Sequence, residues 1–188
     1  MLRLSLAALL LLAACDRGAP YKGMIADPPR DIPSFSYTAA DGSVREMAAA
    51  KGRPMVVFFG YTHCPDVCPT TLADWKRIKA ELGERANKVQ FVFVSVDPGR
   101  DTPEVAERYV RQYDSTFTAV SADSATTAKI LAAFGAAAFR DSTEDDAGGY
   151  FVTHSAQVFL VNDKGRLLTL YPFGTPREAL AADLDRLL

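Results

Sequence analysis

Apolar positions change their spacing along this chain in a way that separates strands from helices. Met55 to Phe59 is an unbroken apolar run, rich in β-branched and aromatic residues and bounded by Pro54 and Gly60. Such a run predicts a short central strand covered on both faces. Val89 to Val96 alternates and then runs apolar into Asp97-Pro98, predicting a second buried strand. Between the two, Leu72, Trp75, Ile78 and Leu82 recur at helical spacing, and Gly83 stops that helix. Upstream, Phe35 to Tyr37, the Asp41-Gly42 turn and Val44 to Met47 predict a hairpin.

Downstream, Asp101-Thr102-Pro103-Glu104 opens a helix reaching about Tyr113, with a cap, an early proline and an acid that complements the dipole. Thr116 to Val120 predicts a short strand, and Ser124 to Phe134 a helix ended by Gly135. Phe139 to Gly149, with Asp141, Glu144, Asp145 and Asp146, is predicted as a solvated irregular insert. Gln157 to Val161, the Asn162 to Gly165 turn and Arg166 to Tyr171 predict a second hairpin. Thr175-Pro176-Arg177-Glu178 reads as a capping box opening a last helix, with Leu180, Leu184 and Leu187 facing the sheet. The sum is an α/β domain with a mixed central sheet, helices on both faces and an N-terminal β-hairpin.

At 188 residues the chain has the length of one domain, and its net charge of −2 gives no basic excess that would point to nucleic acid. The N-terminus changes the picture. Arg3 supplies a positive n-region, Leu4 to Ala14 an apolar one, and Leu12-Ala13-Ala14-Cys15 resembles the bacterial lipoprotein signal. Residues 1–14 are therefore expected to be a signal peptide and Cys15 the lipidated residue. Asp16 resembles the signal that retains lipoproteins at the periplasmic face of the inner membrane. Residues 15–33, with Pro20, Pro28, Pro29 and Pro33, are expected to tether the domain of residues 34–188 at up to about 55 Å from the bilayer.

With Cys15 used by the anchor, Cys64 and Cys68 are the thiols of an exported domain. In an oxidising compartment such a pair is a disulfide, a redox centre or a metal site. Pro65 suggests that Cys64 stands near a helix N-terminus, where unpaired N–H groups favour the thiolate. On a helix, Cys-x-x-x-Cys would place both sulfurs on one face. A dithiol after the first core strand is the thioredoxin arrangement, so a thioredoxin-like fold is expected. In that arrangement the segment Thr153-His154, just before the Gln157 strand, passes beside the cysteines. His63 is the rival nitrogen ligand, Asp66 is expected to shape the loop, Asp97 and Asp101 to serve as turn and cap, and Trp75 to lie in the core. A peroxiredoxin-like reaction is disfavoured, because Tyr61 stands where the Thr of Thr-x-x-Cys would be.

Phe58 to Pro69, Val94 to Pro103 and Val152 to Ser155 together resemble the Sco/SenC family of copper-binding, thioredoxin-like assembly factors for cytochrome c oxidase. The resemblance covers the whole exported domain. It implies Cys64, Cys68 and His154 as copper ligands, and a copper-accepting oxidase subunit and a thioredoxin-type reductant as partners. Some members have an acidic residue where this chain has Thr153. Two thiolates and one imidazole suit Cu(I) in a trigonal site and can also hold Cu(II). A thiol–disulfide reductase that keeps the acceptor's cysteines reduced is the second reading, and His154 discriminates between the two.

Overall fold

The computed structural model describes residues 20–48, 53–144 and 149–188. Residues 1–14, expected to be a signal peptide, Cys15 with the first part of the expected tether, and Asp145 and Asp146 of the acidic insert lie outside the described residues.

The strands are β1 (Met24–Asp31), β2 (Phe35–Thr38), β3 (Val44–Met47), β4 (Met55–Gly60), β5 (Gln90–Ser95), β6 (Thr118–Val120), β7 (Ala138–Glu144), β8 (Tyr150–His154), β9 (Val158–Val161) and β10 (Arg166–Tyr171). The helices are α1 (Val67–Leu82), α2 (Pro103–Arg111), α3 (Ser124–Phe134) and α4 (Arg177–Asp185). Six strands form the central sheet in the order β1-β10-β9-β4-β5-β6. β4 runs parallel to β5, and β5 to β6, whereas β9 is antiparallel to β4. β2 with β3, and β7 with β8, form two separate antiparallel ribbons.

β4 is buried along its whole length and divides the core. Met55, Val57 and Phe59 join Ile130 and Phe134 of α3 and Tyr37 and Met47 of the first ribbon. Val56 and Phe58 join Leu72, Trp75 and Ile78 of α1, Val110 of α2, and Leu180 and Leu184 of α4. Each large side chain buried this way contributes roughly 1.5–3 kcal/mol. β4, buried along its whole length, leads into the turn that carries Cys64.

Four expectations change. The tether reading fails over Met24–Asp31, which is an edge strand paired with β10. Its register shifts between Ile25 and Arg30, and Pro28 and Pro29 fall in that shifted stretch, where an edge strand tolerates missing donors. The insert expected to be irregular is in part a strand, since β7 pairs with β8 through Phe139↔Thr153 and Arg140↔Val152. Pro65 precedes α1 instead of opening it: the helix begins at Val67, so Cys64 sits in the preceding turn and only Cys68 is helical. The capping box does not form, because the Thr175 hydroxyl donates to the Pro172 carbonyl and α4 has no side-chain cap.

Candidate metal centre

β4 delivers the chain to the site through Gly60 and the buried Tyr61. Thr62 and His63 then turn, the Cys64 N–H donating to the Tyr61 carbonyl at 3.2 Å. Asp101 holds this turn from below. Its carboxylate is fully buried and accepts from the Thr62 N–H at 2.9 Å, the Thr62 hydroxyl at 2.6 Å and the Ser95 hydroxyl at 2.6 Å. Asp101 is thus no cap; Thr102 caps α2, accepting from the Val105 N–H. Asp97 serves in the turn as expected, its carbonyl accepting from the Arg100 and Asp101 N–H groups, and its buried carboxylate accepts from Arg100 Nε at 2.5 Å and the Tyr150 hydroxyl at 2.6 Å. Those bonds tie the root of β8 to the loop after β5.

β8 brings in His154 from the other side. Its ring stands edge-on to Phe58 and Tyr61, each at 5.8 Å between centroids, and Nδ1 lies 3.2 Å from the Ser155 carbonyl. A carbonyl can only accept, so Nδ1 carries the proton and the neutral ring keeps its Nε2 lone pair for the sulfurs. Thr153 turns away and donates to Asp141 across the ribbon. The imidazole's supporting partner is therefore a backbone carbonyl, and no acidic neighbour is needed to orient it.

Nε2 lies 3.7 Å from Cys68 Sγ, and the ligand atoms of Cys64, Cys68 and His154 all lie within 4.8 Å of one another. Bonds of about 2.0–2.3 Å in a planar three-coordinate arrangement put ligand atoms roughly 3.6–4.0 Å apart. A modest closing movement thus fits a single ion. Among the described residues this is the only such cluster of three or more metal-binding side chains. His63 is not in it: the side chain is 54% exposed, with Nδ1 toward the Thr62 hydroxyl and Asp101. Asp66 is also outside the cluster and occupies the N-cap position of α1 without a capping bond. Trp75 is in the core, as expected.

The two thiols are unequal. Donation from the Cys68 thiol outweighs partial burial and, with the Asp66 and Cys68 N–H groups, brings Cys64 down to about 4; contact with the His154 side chain adds to this. Cys68 is pushed far up by its bond to Cys64 and by complete burial. Iodoacetamide should therefore alkylate Cys64 alone. Its rate should stay level from pH 8 to pH 5 and fall only as pH approaches about 4, because the reactive thiolate is lost on protonation. In denaturant the rate should instead drop about tenfold per unit below the ordinary thiol range near ~8.5. Peptide mapping of the labelled protein checks both.

Gly60 is a site residue that sequence reasoning passed over, although its place directly after the apolar run was the signal. A Cβ there would lie 2.6 Å from Cys68 Sγ and 2.7 Å from the Phe93 ring. Gly60→Ala should displace the sulfur, cost about 1–3 kcal/mol through overpacking, and lower metal affinity beyond what the stability loss explains. Paired thermal melts and metal titrations would test this.

Residues 25–188 match the family model described as SCO1/SenC. A copper-bound ScoI structure from Bradyrhizobium japonicum is 38% identical, covers 83% of this chain and 98% of its own, and superposes with a TM-score of 0.73. The apo Sco1 solution structure from Thermus thermophilus is 33% identical over 89% of this chain and 97% of its own, with a TM-score of 0.77. A SCO1/SenC family lipoprotein from Bacillus anthracis str. Ames is 26% identical, covers 86% of this chain and 98% of its own, and has a TM-score of 0.69.

Proposed function

This chain belongs to the SCO1/SenC family, and from that premise we propose that it is a copper chaperone. In this reading Cys64, Cys68 and His154 carry the ion and deliver it to the binuclear copper centre of cytochrome c oxidase during assembly. The observation that carries the proposal is the convergence of two thiols and one imidazole from distant segments to within 4.8 Å. The copper bound by the Bradyrhizobium japonicum relative supports the choice of metal.

Soft sulfur donors favour Cu(I), and an open three-ligand site can also hold Cu(II). Cys64 and Cys68 supply the charge that neutralises the ion, and His154 completes the coordination from the far side. Exchange of one ligand at a time against the acceptor's own cysteines passes the ion on without releasing it to water. The family likeness to a lipoprotein supports Cys15 as a lipid anchor on the periplasmic face of the inner membrane. A thioredoxin-type reductant is the expected partner that keeps the dithiol open.

A thiol–disulfide reductase acting on the acceptor's cysteines is the second reading, and the acidic Cys64 favours it. Deleting the gene and assaying oxidase copper content separates them: added copper should restore oxidase if delivery is the task. Failure of copper to rescue, with rescue by a thiol reductant, would overturn the chaperone reading.

Binding should also carry a proton signature. With Cys64 already ionised, one thiol proton, that of Cys68, must leave per ion. Between pH 7.5 and 8.5, Cu(I) affinity should rise about tenfold per pH unit, whereas two ordinary thiols, already half ionised near ~8.5, would give about thirtyfold. Competition titrations at several pH values check the slope.

A further inference from the structure

The first described residues enter the sheet at the same end as the metal cluster. Met24 pairs with Leu170 near the close of β10, Tyr171 with Val158 at the start of β9, and Val158 with Phe58 near the end of β4. The root of the tether therefore sits three strand spacings, about 14 Å, to the side of Cys64, Cys68 and His154. It is not at the opposite end of the domain.

That root is clamped. The fully buried Asp183 accepts from the Lys22 N–H at 2.7 Å, the Gly23 N–H at 3.1 Å and the Tyr171 hydroxyl at 2.7 Å. A Cβ on Gly23 would lie 2.7 Å from the Tyr171 ring, so only glycine lets the chain lie this close. Arg186 stacks on Tyr21 at 4.6 Å. The chain is thus held from Tyr21 onward, and the six residue steps from Cys15 to Tyr21 span about 20 Å at most.

A second observation is independent of the tether. Of the large apolar side chains exposed among the described residues, Met24 (59%), Ile25 (60%) and Phe173 (48%) cluster where β1 starts and β10 ends. Phe139 (60%) is the ladder partner of Thr153, next to His154. Only Val44 lies elsewhere, on the β2–β3 ribbon. Exposed apolar clusters of this kind mark contact surfaces. A short clamped tether leaving from the same end makes the lipid surface the occupant within reach.

We propose that the metal-site end of the domain rests against the bilayer, held by the Asp183 clamp on the tether root and by an apolar rim of Met24, Ile25, Phe139 and Phe173. This rests on the lipid anchoring proposed above. Copper would then be passed on only to acceptor ligands close to the membrane surface, while the β9–β10 turn points into solvent.

The test uses the full-length lipidated protein on phosphatidylethanolamine–phosphatidylglycerol vesicles containing a headgroup-labelled acceptor dye. A donor dye goes on Cys64 in one sample, and on Asp163→Cys in a Cys64→Ser/Cys68→Ser background in another. Asp163 is exposed on the turn at the opposite end of the strands. Energy transfer should be severalfold more efficient from Cys64; equal or reversed efficiencies overturn the proposal. Met24→Ser/Ile25→Ser/Phe173→Ser should lower transfer from Cys64 to the level of the turn while leaving Cu(I) affinity unchanged. No change in transfer would remove the rim from the proposal. Vesicle flotation reads the anchoring separately: if the wild type fails to float, the anchoring reading falls and this inference with it.

Discussion

Replacing His154 with alanine should weaken Cu(I) binding by more than the roughly 10–100-fold that loss of a supporting partner costs a metal site. The ring's Nε2 faces Cys68 Sγ at 3.7 Å, and among the described residues no other imidazole or carboxylate joins the cluster. His63, the nearest alternative in sequence, points to Thr62 and Asp101 and cannot substitute without unwinding the turn that Asp101 holds. Competition of the reduced protein against a Cu(I) chelator measures the loss. The same variant should still titrate two thiols in the folded domain, because neither cysteine depends on the ring for its place on the backbone. The half-buried ring leaves a gap between Phe58 and Tyr61, so a thermal melt must accompany the titration. Unchanged copper affinity in a folded His154→Ala protein would leave only the dithiol and favour the reductase.

The parts of this site that were legible in sequence are those with strong local causes. Met55 to Phe59 reads as a buried strand and is one, and Gly135 stops α3 in the left-handed region as expected. Cys64, Cys68 and His154 stood out because so few residues in the chain bind soft metals, and the fold places them together. The illegible parts depend on long-range pairing. β1 reads as a linker because its prolines deny it hydrogen bonds, and only β10 beside it makes it a strand. β7 looks like polar loop because none of its described side chains is buried, so no apolar period of two marks it, and only pairing with β8 makes it a strand. Asp101 follows the same logic in reverse. Locally it resembles a cap, yet Thr62 and Ser95, brought in from β4 and β5, fill its lone pairs and bury it. The polar residue that looked most ordinary thus anchors the turn bearing Cys64.

Oxidation of Cys64 and Cys68 should abolish copper binding and reduction should restore it in full. Joining the Cys64 thiolate to the Cys68 thiol removes two electrons and the Cys68 proton, which together with one proton from solvent reduce an oxidant such as diamide, and a disulfide has no anionic sulfur with which to hold Cu(I). Both cysteines are free thiols in this structure, with Sγ atoms inside the 4.8 Å cluster, so closing the bond needs movement of the Cys64 turn and not of the helix. Cys64 is the attacking sulfur, because it is the ionised and partly exposed one. Cys68 is held protonated in the core until its proton leaves in the reaction. Cys64→Ser should therefore lose both the disulfide and tight copper binding. Cys68→Ser should lose both as well but leave a Cys64 that still alkylates. Bound copper per chain, measured after diamide, after subsequent thiol reduction and in each serine variant, checks the series. Copper retained stoichiometrically by the oxidised protein would place the ion elsewhere and end the case for a dithiol carrier.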